Sequence, residues 1–600
     1  MQHPGPRHAD YKASFIRSIP PKMLATPVLI VAAALGPRAA DALWPIPSKL
    51  SMGQDFVLIQ PNVHVLYNGE PLQLDSAYLA PPGPHFNARD IVHSGVSRTL
   101  TNIFHNNFVP WKLRPRHSSF EPNLNADINC ITSINIVQAE ADQPRPAPVD
   151  ESYSLQISSH GTVELGCKSS TGCLHGLESF SQLFFKHSSG RAFYTPHAPV
   201  SIIDAPKFPH RGILIDVARN WIPCEHIMRT IDAMAWNKMN RLHLHVIDSQ
   251  SWPLEIPSLP KLAEKGSYAK GLTYSPADIA ALYEYGIHRG VQIIMEIDMP
   301  GHVGAIDLAY EDLIVAYNMK PWNWYCNEPP CGAFRMNSTK VYDFIDTLFQ
   351  DLLPRVSPYS AYFHTGGDEF NKNDSMLDPQ VGSNSSQVLA PLLQKFLDHV
   401  HGVVRSHGLT PIVWEEMPLE WNQTLGSDVI IQSWLGNEAV KKLAQAGHKV
   451  IDSNFNFYYL DCGRGNWLSF QNGDAFERGY PFYDWCHPTK NWRLIYSHDP
   501  VAGLSEQTAK NVLGGEVAAW AETIDGVNLD DILWPRSSAA AEVLWSGRQD
   551  AFGKNRSQHD ATPRLAELRE RMVARGVMAM PISMAFCTQG NVTECDAPTP

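Results

Sequence analysis

The chain has 600 residues, of which 44% are hydrophobic and 18% are charged, a balance typical of folded domains with large cores rather than of disordered proteins. The formal net charge of -13 and the absence of a long Lys/Arg run argue against nucleic acid as a partner. At this length we expect more than one domain.

Residues 1–42 have the pattern of a signal or targeting segment. Three cations between residues 12 and 22 precede the apolar run 24–35, and Ala40-Asp41-Ala42 offers a small-x-small cleavage site. We expect cleavage after Ala42 and a secreted protein, either extracellular or in a vacuolar or lysosome-like compartment. The apolar run is shorter than the roughly 20 residues of a membrane-spanning helix, so we expect no transmembrane helix and no membrane partner.

The ten cysteines agree with an oxidising compartment. Cys167 and Cys173 are close enough in sequence to pair, but they are equally consistent with buried thiols. None of the cysteines has CxxC spacing and no His/Cys cluster resembles a zinc site, so we predict no metal and no cofactor. The three predicted disulfides are Cys326–Cys331, Cys462–Cys486 and Cys587–Cys595.

N-x-S/T sequons are frequent along the chain and predict N-linked glycans on a secreted protein. The sequons begin at Asn337, Asn373, Asn384, Asn422, Asn555 and Asn591.

Residues 43–205 predict a small α+β domain. Alternating apolar residues mark short strands at 54–59, 153–157 and 161–165. The stretch 172–185 then has the spacing of an amphipathic helix.

From residue 206 to 560, strand and helix patterns alternate, which predicts βα units and a parallel sheet. Eight strands are the number that closes a (β/α)8 barrel, so the predicted fold class is α/β, a TIM barrel preceded by a small α+β domain. A helix and a disulfide-closed tail are expected at 561–600. The eight predicted strands are 212–217, 241–247, 292–297, 361–364, 411–414, 429–433, 449–452 and 512–518. Helices are predicted between them at 225–237, 276–289, 339–353, 387–407 and 438–446.

In such a barrel the residues that follow the strands carry function. The adjacent acids Asp368 and Glu369 end His364-Thr365-Gly366-Gly367-Asp368-Glu369, and the two glycines permit a turn that could aim both acids at one site. A lone Asp-Glu pair is more often a solvated turn, so the prediction depends on what else follows the other strands. Those strand ends supply Asp216, Arg219, Asn220, Asp248, Glu296, Asp298, His302, Trp414, Glu415, Glu416, Trp434, Tyr458, Tyr459, Asp461, Trp520 and Glu522. Abundant carboxylates with aromatic side chains and no cofactor motif predict glycoside hydrolysis.

Four separated motifs carry a resemblance to a known family. Residues 208–212 (FPHRG), 298–302 (DMPGH), 364–369 (HTGGDE) and 534–536 (WPR) resemble the signature segments of the family 20 β-N-acetylhexosaminidases. The stretch 327–332 is most similar to the secreted enzymes of filamentous fungi. The resemblance implies a retaining exo-glycosidase whose nucleophile is the substrate's own 2-acetamido group, which removes terminal β-linked GlcNAc or GalNAc from chitooligosaccharides or glycoconjugates.

The resemblance also implies roles for individual residues. Glu369 is expected to be the general acid and base, and Asp368 to accept a hydrogen bond from the acetamido N–H. Tyr459 is expected to donate to the acetamido carbonyl, with Tyr458 in its place if the register shifts by one. The remaining expected contacts are Arg211, Asp461 and Glu522 to sugar hydroxyls, Trp414, Trp434, Trp485 and Trp520 as walls of the sugar pocket, and Asp248, Asp298 and His302 as residues that position Glu369.

Two alternative functions stay open on the sequence. One is a family 20 enzyme that releases disaccharides, and the other is a secreted sugar-binding protein without catalysis. A homodimer is common in the family resembled.

Overall fold

The computed structural model describes residues 43–74, 86–142, 149–469, 483–590 and 595. The predicted signal segment and the sequon at Asn591 lie outside these ranges. No helix within them is long and apolar enough to cross a membrane.

The N-terminal part of the chain forms a seven-stranded mixed sheet with the strand order β2-β1-β3-β5-β4-β7-β6. The strands are β1 (Lys49–Tyr67), β2 (Glu70–Pro71), β3 (Cys130–Gln138), β4 (Tyr153–Ile157), β5 (Thr162–Cys167), β6 (Phe185–Lys186) and β7 (Phe193–Asp204). Side chains of β4 alternate between buried and partly exposed, as expected for a sheet with one face on a core.

Two helices, Ala88–Phe104 and Ser170–Gln182, accompany this sheet. The second begins where the Ser169 side chain accepts a hydrogen bond from the backbone N–H of Gly172. At Gly176 a Cβ atom would lie 2.3 Å from Cδ1 of Leu165, so a larger residue at this point of the helix would require the Leu165 side chain to shift. The predicted helix 172–185 is therefore present, with ends shifted toward the N-terminus.

The rest of the chain contains a closed barrel of eight parallel strands in the order β10-β13-β14-β15-β16-β17-β8-β9. The barrel strands are β8 (His210–Asp216), β9 (Arg241–His245), β10 (Gln292–Glu296), β13 (Tyr362–His364), β14 (Thr410–Trp414), β15 (Ile430–Ser433), β16 (Lys449–Asp452) and β17 (Val512–Ala519), while β11 (Ile314–Val315) and β12 (Ala333–Phe334) pair with each other outside it. The predicted eight-stranded barrel is confirmed, and no strand end differs from its predicted position by more than two residues.

Helices surround and cap the barrel. Among the described residues they are Cys224–Trp236, Lys261–Gly266, Pro276–Ile287, Thr339–Val356, Ser386–Ser406, Glu416–Leu419, Asn437–Gln445, Phe455–Tyr458, Trp492–Ser497, Glu506–Ala509, Leu529–Leu533, Arg536–Ser546, Gln558–Ala574 and Ala585–Gln589. Short 3-10 turns occupy Trp111–Leu113, Gly304–Leu308, Trp322–Trp324 and Asp374–Leu377.

Four disulfides are formed. The three predicted pairs, Cys326–Cys331, Cys462–Cys486 and Cys587–Cys595, are confirmed. Cys167 and Cys173 also pair, which decides between the two alternatives that the sequence left open. Cys130 and Cys224 remain thiols in the described chain.

Candidate active site

The turn after β13 brings two adjacent acids to the same end of the barrel. Gly366 and Gly367 have φ of 68° and 109°, and Glu369 itself has φ of 52°. A Cβ atom at Gly366 would lie 1.7 Å from Oδ1 of Asp298. Glycine is therefore required here both for the backbone conformation and for the close approach of Asp298.

Glu369 lies at the end of a chain of charged contacts. Nε2 of His302 is 3.5 Å from Oε2 of Glu369, and Nδ1 of His302 is 2.9 Å from Oδ2 of Asp248. Burial would lower the pKa of His302, but the carboxylates of Asp248 and Asp368 outweigh it and raise this pKa well above its usual value. Burial alone would raise the pKa of Glu369, yet the hydrogen bond and the charge of His302 lower it overall. In the free protein the proton between these two residues therefore resides on His302.

The carboxyl of Asp368 lies beside that of Asp298, and the two groups carry one negative charge between them. Asp298 is fully buried, and its Oδ1 accepts a hydrogen bond of 2.8 Å from the backbone N–H of Gly367. Burial and the neighbouring Asp368 raise the pKa of Asp298 well above its usual value, and burial also raises the pKa of Asp368. We therefore assign one proton to the pair, held by Asp298, and one negative charge to Asp368.

These two carboxyls and His302 are also close enough to invite comparison with a metal site. One ligand atom from each of Asp298, His302 and Asp368 lies within 4.8 Å of the others. Nε2 of His302 lies 4.0 Å from Oδ2 of Asp368, so an ion pair already joins two of these three side chains.

Aromatic side chains from separate loops form one wall beside the acids. The rings of Trp434 and Tyr459 are parallel, with centroids 6.1 Å apart. Trp485 stands perpendicular to Trp434 at 5.7 Å, and Trp520 lies 6.2 Å from both Tyr459 and Trp414. The four predicted tryptophans thus lie in one cluster with Tyr459.

Within this wall the tryptophans differ in exposure and bonding. Trp485 is 64% exposed, whereas Trp414 is 1% exposed and its Nε1 donates to Oε1 of Glu296 at 2.8 Å. Nε1 of Trp434 donates to Oε1 of Glu416 at 2.9 Å. Trp414 is therefore the buried member of this aromatic wall, and Trp485 is its solvent-exposed member.

The two adjacent tyrosines point to different surroundings. Tyr458 is buried with its ring 5.1 Å from that of His498. Tyr459 instead lies among the tryptophans, where burial raises the pKa of its hydroxyl well above the usual value and keeps it a donor. The position expected for the acetamide donor is thus that of Tyr459 and not of Tyr458.

Arg219 is a cation at this end of the barrel, and the sequence analysis places it at a strand end without giving it a role. It lies in the loop after β8, and its guanidinium is 5.2 Å from the ring of Trp520. Its Nη2 is 2.8 Å from Oδ2 of Asp248 and 2.7 Å from Oε1 of Glu328. Arg219 therefore connects the residues behind Glu369 with the tryptophan wall.

Two further predicted acids lie near this arginine. Asp461 accepts a 3.5 Å hydrogen bond from the backbone N–H of Trp520, and burial raises the pKa of Asp461 to about 7. Burial and the nearby Glu328 raise the pKa of Glu522 well above its usual value, against the opposing charge of Arg219. Both residues are half-buried at this end of the barrel.

The assignment of Arg211 to sugar hydroxyls is wrong. Arg211 is the second residue of β8, at the end of the barrel opposite the acids, and it is 0% exposed. Its guanidinium bonds the carboxylate of Glu151 and the backbone carbonyls of Lys238 and Phe208. Every donor of this side chain has a structural role between the N-terminal sheet and the barrel, which leaves no fork free for a ligand.

A small polar cavity of about 20 Å³ lies beside Glu369, room for about one water molecule. The disulfide-closed loop around Asn327 and Glu328 forms one of its walls, and Asp374 forms another. Oδ1 of Asp374 is buried and has no hydrogen-bond partner among the described residues. Burial raises the pKa of Asp374 to about 8, so this carboxyl is neutral at neutral pH.

Two family models match the chain. Residues 208–548 match "Glycosyl hydrolase family 20, catalytic domain", and residues 43–183 match "beta-acetyl hexosaminidase like". Together they span both the barrel and most of the N-terminal sheet.

Curated relatives match most of the chain. A β-hexosaminidase of Arthroderma benhamiae is 40% identical over 588 residues, covering 91% of this chain and 96% of that protein. A chitooligosaccharidolytic β-N-acetylglucosaminidase of Ostrinia furnacalis is 32% identical and covers 74% of each chain.

Solved structures share the architecture. A chitobiase of Flavobacterium johnsoniae superimposes with a TM-score of 0.68 at 25% identity, covering 89% of this chain and 73% of that one. An exo-β-N-acetylglucosaminidase of Vibrio harveyi superimposes with a TM-score of 0.69, covering 90% of this chain and 79% of that one. At 21% identity the second match establishes the fold alone.

Proposed function

The chain belongs to glycosyl hydrolase family 20, and from that premise we propose how its candidate site hydrolyses a β-linked N-acetylhexosaminide. The activity is that of an exo-acting β-N-acetylhexosaminidase, which removes terminal non-reducing GlcNAc or GalNAc from chitooligosaccharides or glycoconjugates. The observation that carries the mechanism is the adjacency of Asp368 and Glu369 in one positive-φ turn. Two carboxylates that attacked and protonated from opposite faces of a sugar would be about 5 Å apart and not consecutive. Adjacent acids suit an enzyme whose nucleophile belongs to the substrate.

In the first step Glu369 protonates the leaving oxygen. Because the free protein keeps the proton on His302, the acid form of Glu369 arises when Nε2 of His302 passes its proton to Oε2 of Glu369. The substrate's acetamido oxygen then forms a bond to C1 while the C1–O bond of the leaving group breaks and that oxygen takes the proton. The product of this step is a bound oxazolinium ion.

Asp368 interacts with the acetamido group of the substrate during this step. Its negative charge accepts the acetamido N–H and balances the positive charge of the oxazolinium ion. The protonated Asp298 behind it holds the carboxylate in place and keeps the cluster to a single charge. The hydroxyl of Tyr459 donates to the acetamido oxygen and aims it at C1.

In the second step Glu369 acts as the base. It removes a proton from a water molecule whose oxygen bonds to C1, the oxazolinium ring opens, and the sugar leaves with its original β configuration. The proton gained by Glu369 returns to Nε2 of His302, which restores the starting state. Tryptophan side chains around the site exclude other water that would compete for the intermediate.

Arg219, Asp461 and Glu522 are proposed to bind the hydroxyls of the terminal sugar. Nε and Nη2 of Arg219 already face Glu328 and Asp248, and Nη1 faces Asp216, so the second N–H of Nη1 is the donor proposed for a hydroxyl. The two acids have raised pKa values that lower on accepting a hydroxyl donor. Trp414, Trp434, Trp485 and Trp520 provide the apolar faces for the acetamide methyl and the ring. Closed contacts around a terminal residue favour release of one sugar at a time.

The test of this function is release of p-nitrophenol from the β-GlcNAc and β-GalNAc aryl glycosides, with and without an N-acetylglucosamine-thiazoline inhibitor. We expect hydrolysis of at least one glycoside and competitive inhibition by the thiazoline. Release of disaccharide from chitooligosaccharides would instead favour the disaccharide-releasing alternative, and binding without release would favour a sugar-binding protein.

We also propose that the protein is secreted and glycosylated and forms a homodimer. Four disulfides agree with an oxidising compartment. The sequon residues Asn337, Asn384, Asn422 and Asn555 are exposed and so accessible to glycan transfer. Mass loss on enzymatic deglycosylation and light scattering of the secreted protein test these proposals.

A further inference from the structure

The contact between His302 and Asp248 continues through the interior of the barrel. On the far side of Asp248, its Oδ2 lies 3.1 Å from Nε2 of His245. Nδ1 of His245 lies 2.5 Å from Oε2 of Glu296, and the same oxygen lies 3.1 Å from Nε2 of His243. Imidazoles and carboxylates thus alternate along strands β9 and β10.

The alternation continues to strand β17, which only β8 separates from β9 in the barrel. Nδ1 of His243 lies 2.8 Å from Oε1 of Glu516 on β17, and Oε2 of Glu516 lies 2.8 Å from Nε2 of His210 on β8. His210 is the first residue of its strand and borders a cavity of about 350 Å³ at the end of the barrel opposite Glu369. We call the series Glu516, His243, Glu296, His245, Asp248, His302 and Glu369 the barrel ladder.

The positions of the ring nitrogens fix how many protons the barrel ladder must hold. Each of His243, His245 and His302 has both nitrogens beside carboxylate oxygens. A neutral imidazole carries only one N–H, so its second nitrogen would face an oxygen with two lone pairs and no proton between them. Each hydrogen-bonded contact of the ladder therefore needs one proton, on the nitrogen or on the oxygen. Nε2 of His243 and Nε2 of His302 face carboxylate oxygens at ion-pair distances of 3.1 and 3.5 Å, without hydrogen-bond geometry at His243.

Because the barrel ladder is buried, the loss of one of its protons would destabilise the folded protein. Every member from Glu516 to Asp248 is at most 1% exposed, and unpaired charges in such surroundings cost several kcal/mol. Burial would lower the pKa of His243, but Glu516 and Glu296 outweigh it and raise this pKa to about 9. Burial and the opposing carboxylates act in the same way on His245, whose pKa is raised well above its usual value.

Other polar groups face the central carboxylates. Glu516 also accepts a hydrogen bond of 2.8 Å from Nε2 of Gln432, and Arg241 lies near enough to His210 to lower its pKa. Oε1 of Glu296 faces Nε1 of Trp414 and Nδ1 of His364, at 2.8 and 2.9 Å. The charge of Glu296 also reaches Asp298, and Arg219 and Glu328 flank Asp248.

We propose that the barrel ladder is a proton-sharing network in which Glu296 and Glu516 are positioning residues for Glu369. From the interior of the barrel they determine how readily Glu369 holds a proton. This inference rests on the proposed role of Glu369 as the acid. Neither Glu296 nor Glu516 touches the substrate site; each acts through the imidazoles that follow it. The transfer is a proton shift within the last contact, from Nε2 of His302 to Glu369, and the number of protons in the ladder is unchanged by it.

The proposal gives a direction for substitutions in the ladder. Glu296→Gln and Glu516→Gln keep the shape of the side chain and remove one buried negative charge. Fewer anions inside the barrel make the proton between His302 and Glu369 easier to lose. The alkaline limb of the kcat/KM profile should therefore move to lower pH, by about 0.5 to 1 unit for Glu296→Gln and by less for Glu516→Gln, which lies farther along the ladder.

Val517→Ala is the matched control. Val517 is the next residue on β17 and is 0% exposed in the apolar core, so its truncation lowers the Tm without altering the ladder. We expect its alkaline limb to coincide with that of the wild type. Unshifted limbs in both glutamine variants, with only a lower Tm, would overturn the proposal.

Neutron diffraction of the unsubstituted protein at pH 7 reads the ladder directly and needs no variant to fold. We expect deuterium on both ring nitrogens of His243 and of His245. A single deuterium on either ring, with no deuterium on the carboxyl oxygen facing the bare nitrogen, would overturn the proposal. This outcome is independent of turnover, so it is distinguishable from a failure of the proposed function, which would appear as no hydrolysis by the wild type.

Discussion

Nε2 of His302 lies 3.5 Å from Oε2 of Glu369, and both residues have left-handed backbones, with φ of 54° and 52°. A non-glycine residue in this conformation costs on the order of 1 kcal/mol or more. Two such residues in contact mean that the surrounding turns, and not their own preferences, hold the acid and its proton partner together. Strain of this kind concentrates at functional sites.

The turn that holds Glu369 should not tolerate a methyl group at Gly366. Gly366→Ala would put a Cβ atom 1.7 Å from Oδ1 of Asp298, at a φ of 68°. Either the turn or Asp298 must move, so we expect kcat/KM to fall at least 100-fold even in protein that remains folded. Circular dichroism and the aryl glycoside assay measure the two effects separately.

Gly402→Ala serves as the control for that substitution. Gly402 is exposed in the helix Ser386–Ser406, and nothing lies within 4 Å of the position of its Cβ. We expect unchanged kinetics and a gain in stability of up to about 1 kcal/mol, because alanine is the better helix former. Equal losses of activity in both variants would show that the geometry at Gly366 is not special.

Arg219 and Arg211 should respond differently to the same substitution. Arg219→Lys removes the Nη1 donor proposed for a sugar hydroxyl, and we expect kcat/KM to fall about 10- to 100-fold, since hydrogen bonds to charged groups contribute about 1.5–3 kcal/mol. Arg211→Lys should leave KM and kcat within about twofold but lower the Tm, because lysine cannot make all the buried contacts of that guanidinium. Steady-state kinetics and thermal unfolding of both variants measure these effects. A kinetic loss confined to Arg211→Lys would contradict a structural role for Arg211 and a sugar-binding role for Arg219.

The comparison of these two arginines shows how far the candidate site can be predicted from the sequence. The alternation of strand and helix patterns was enough to locate all eight barrel strands, and the rule that function follows the strand ends pointed to Arg219. The motif at 208–212 favours Arg211, although residue 211 is the second residue of β8 and does not follow the strand. Applying the strand-end rule to the motif would have found Arg219.

Asp298 should tolerate an amide but not truncation. Asp298→Asn keeps an acceptor for the N–H of Gly367 and places an N–H toward Asp368, as the protonated acid does, so we expect kcat/KM within about tenfold of the wild type. Asp298→Ala loses both contacts, and a loss of at least 100-fold is expected from the misplaced Asp368. Aryl glycoside kinetics compare the two; equal losses would mean that Asp298 acts as an anion and not as the proton carrier.

The pairing of Asp298 with Asp368 was beyond the reach of the sequence. The two acids are 70 positions apart and their shared proton depends on burial and on the backbone of Gly366, neither of which a pattern of residue types reports. A hydrogen bond from the Asn327 side chain also helps to lower the pKa of Glu369, and this contact depends on where the loop closed by Cys326–Cys331 folds back. The candidate residues for these contacts can be named from the sequence, but which of them meet depends on how the loops pack.

Asp374 should destabilise the fold as the pH rises. Burial raises the pKa of this carboxyl to about 8, so between the ordinary carboxyl pKa and pH 8 the unfolded state loses its proton before the folded state does, and stability falls with increasing pH. Asp374→Asn removes this penalty. We expect it to stabilise the protein at pH 7, by about 4 kcal/mol at most, and to have no effect near pH 3.5.

Chemical denaturation of wild type and Asp374→Asn at the two pH values measures this difference. A gain of the same size at both pH values would show that the effect comes from packing and not from titration. No gain at pH 7 would show that the carboxyl finds a partner in solution.

The most direct test of substrate-assisted catalysis combines two variants with a thiazoline that mimics the oxazolinium intermediate. Glu369→Gln should lower kcat about 100- to 10,000-fold, the range of general acid–base catalysis, while still binding the thiazoline. Asp368→Asn should lose rate and also lose thiazoline inhibition, because the carboxylate that balances the cation is gone. An Asp368→Asn enzyme with near-normal kcat and unchanged thiazoline inhibition would contradict the account.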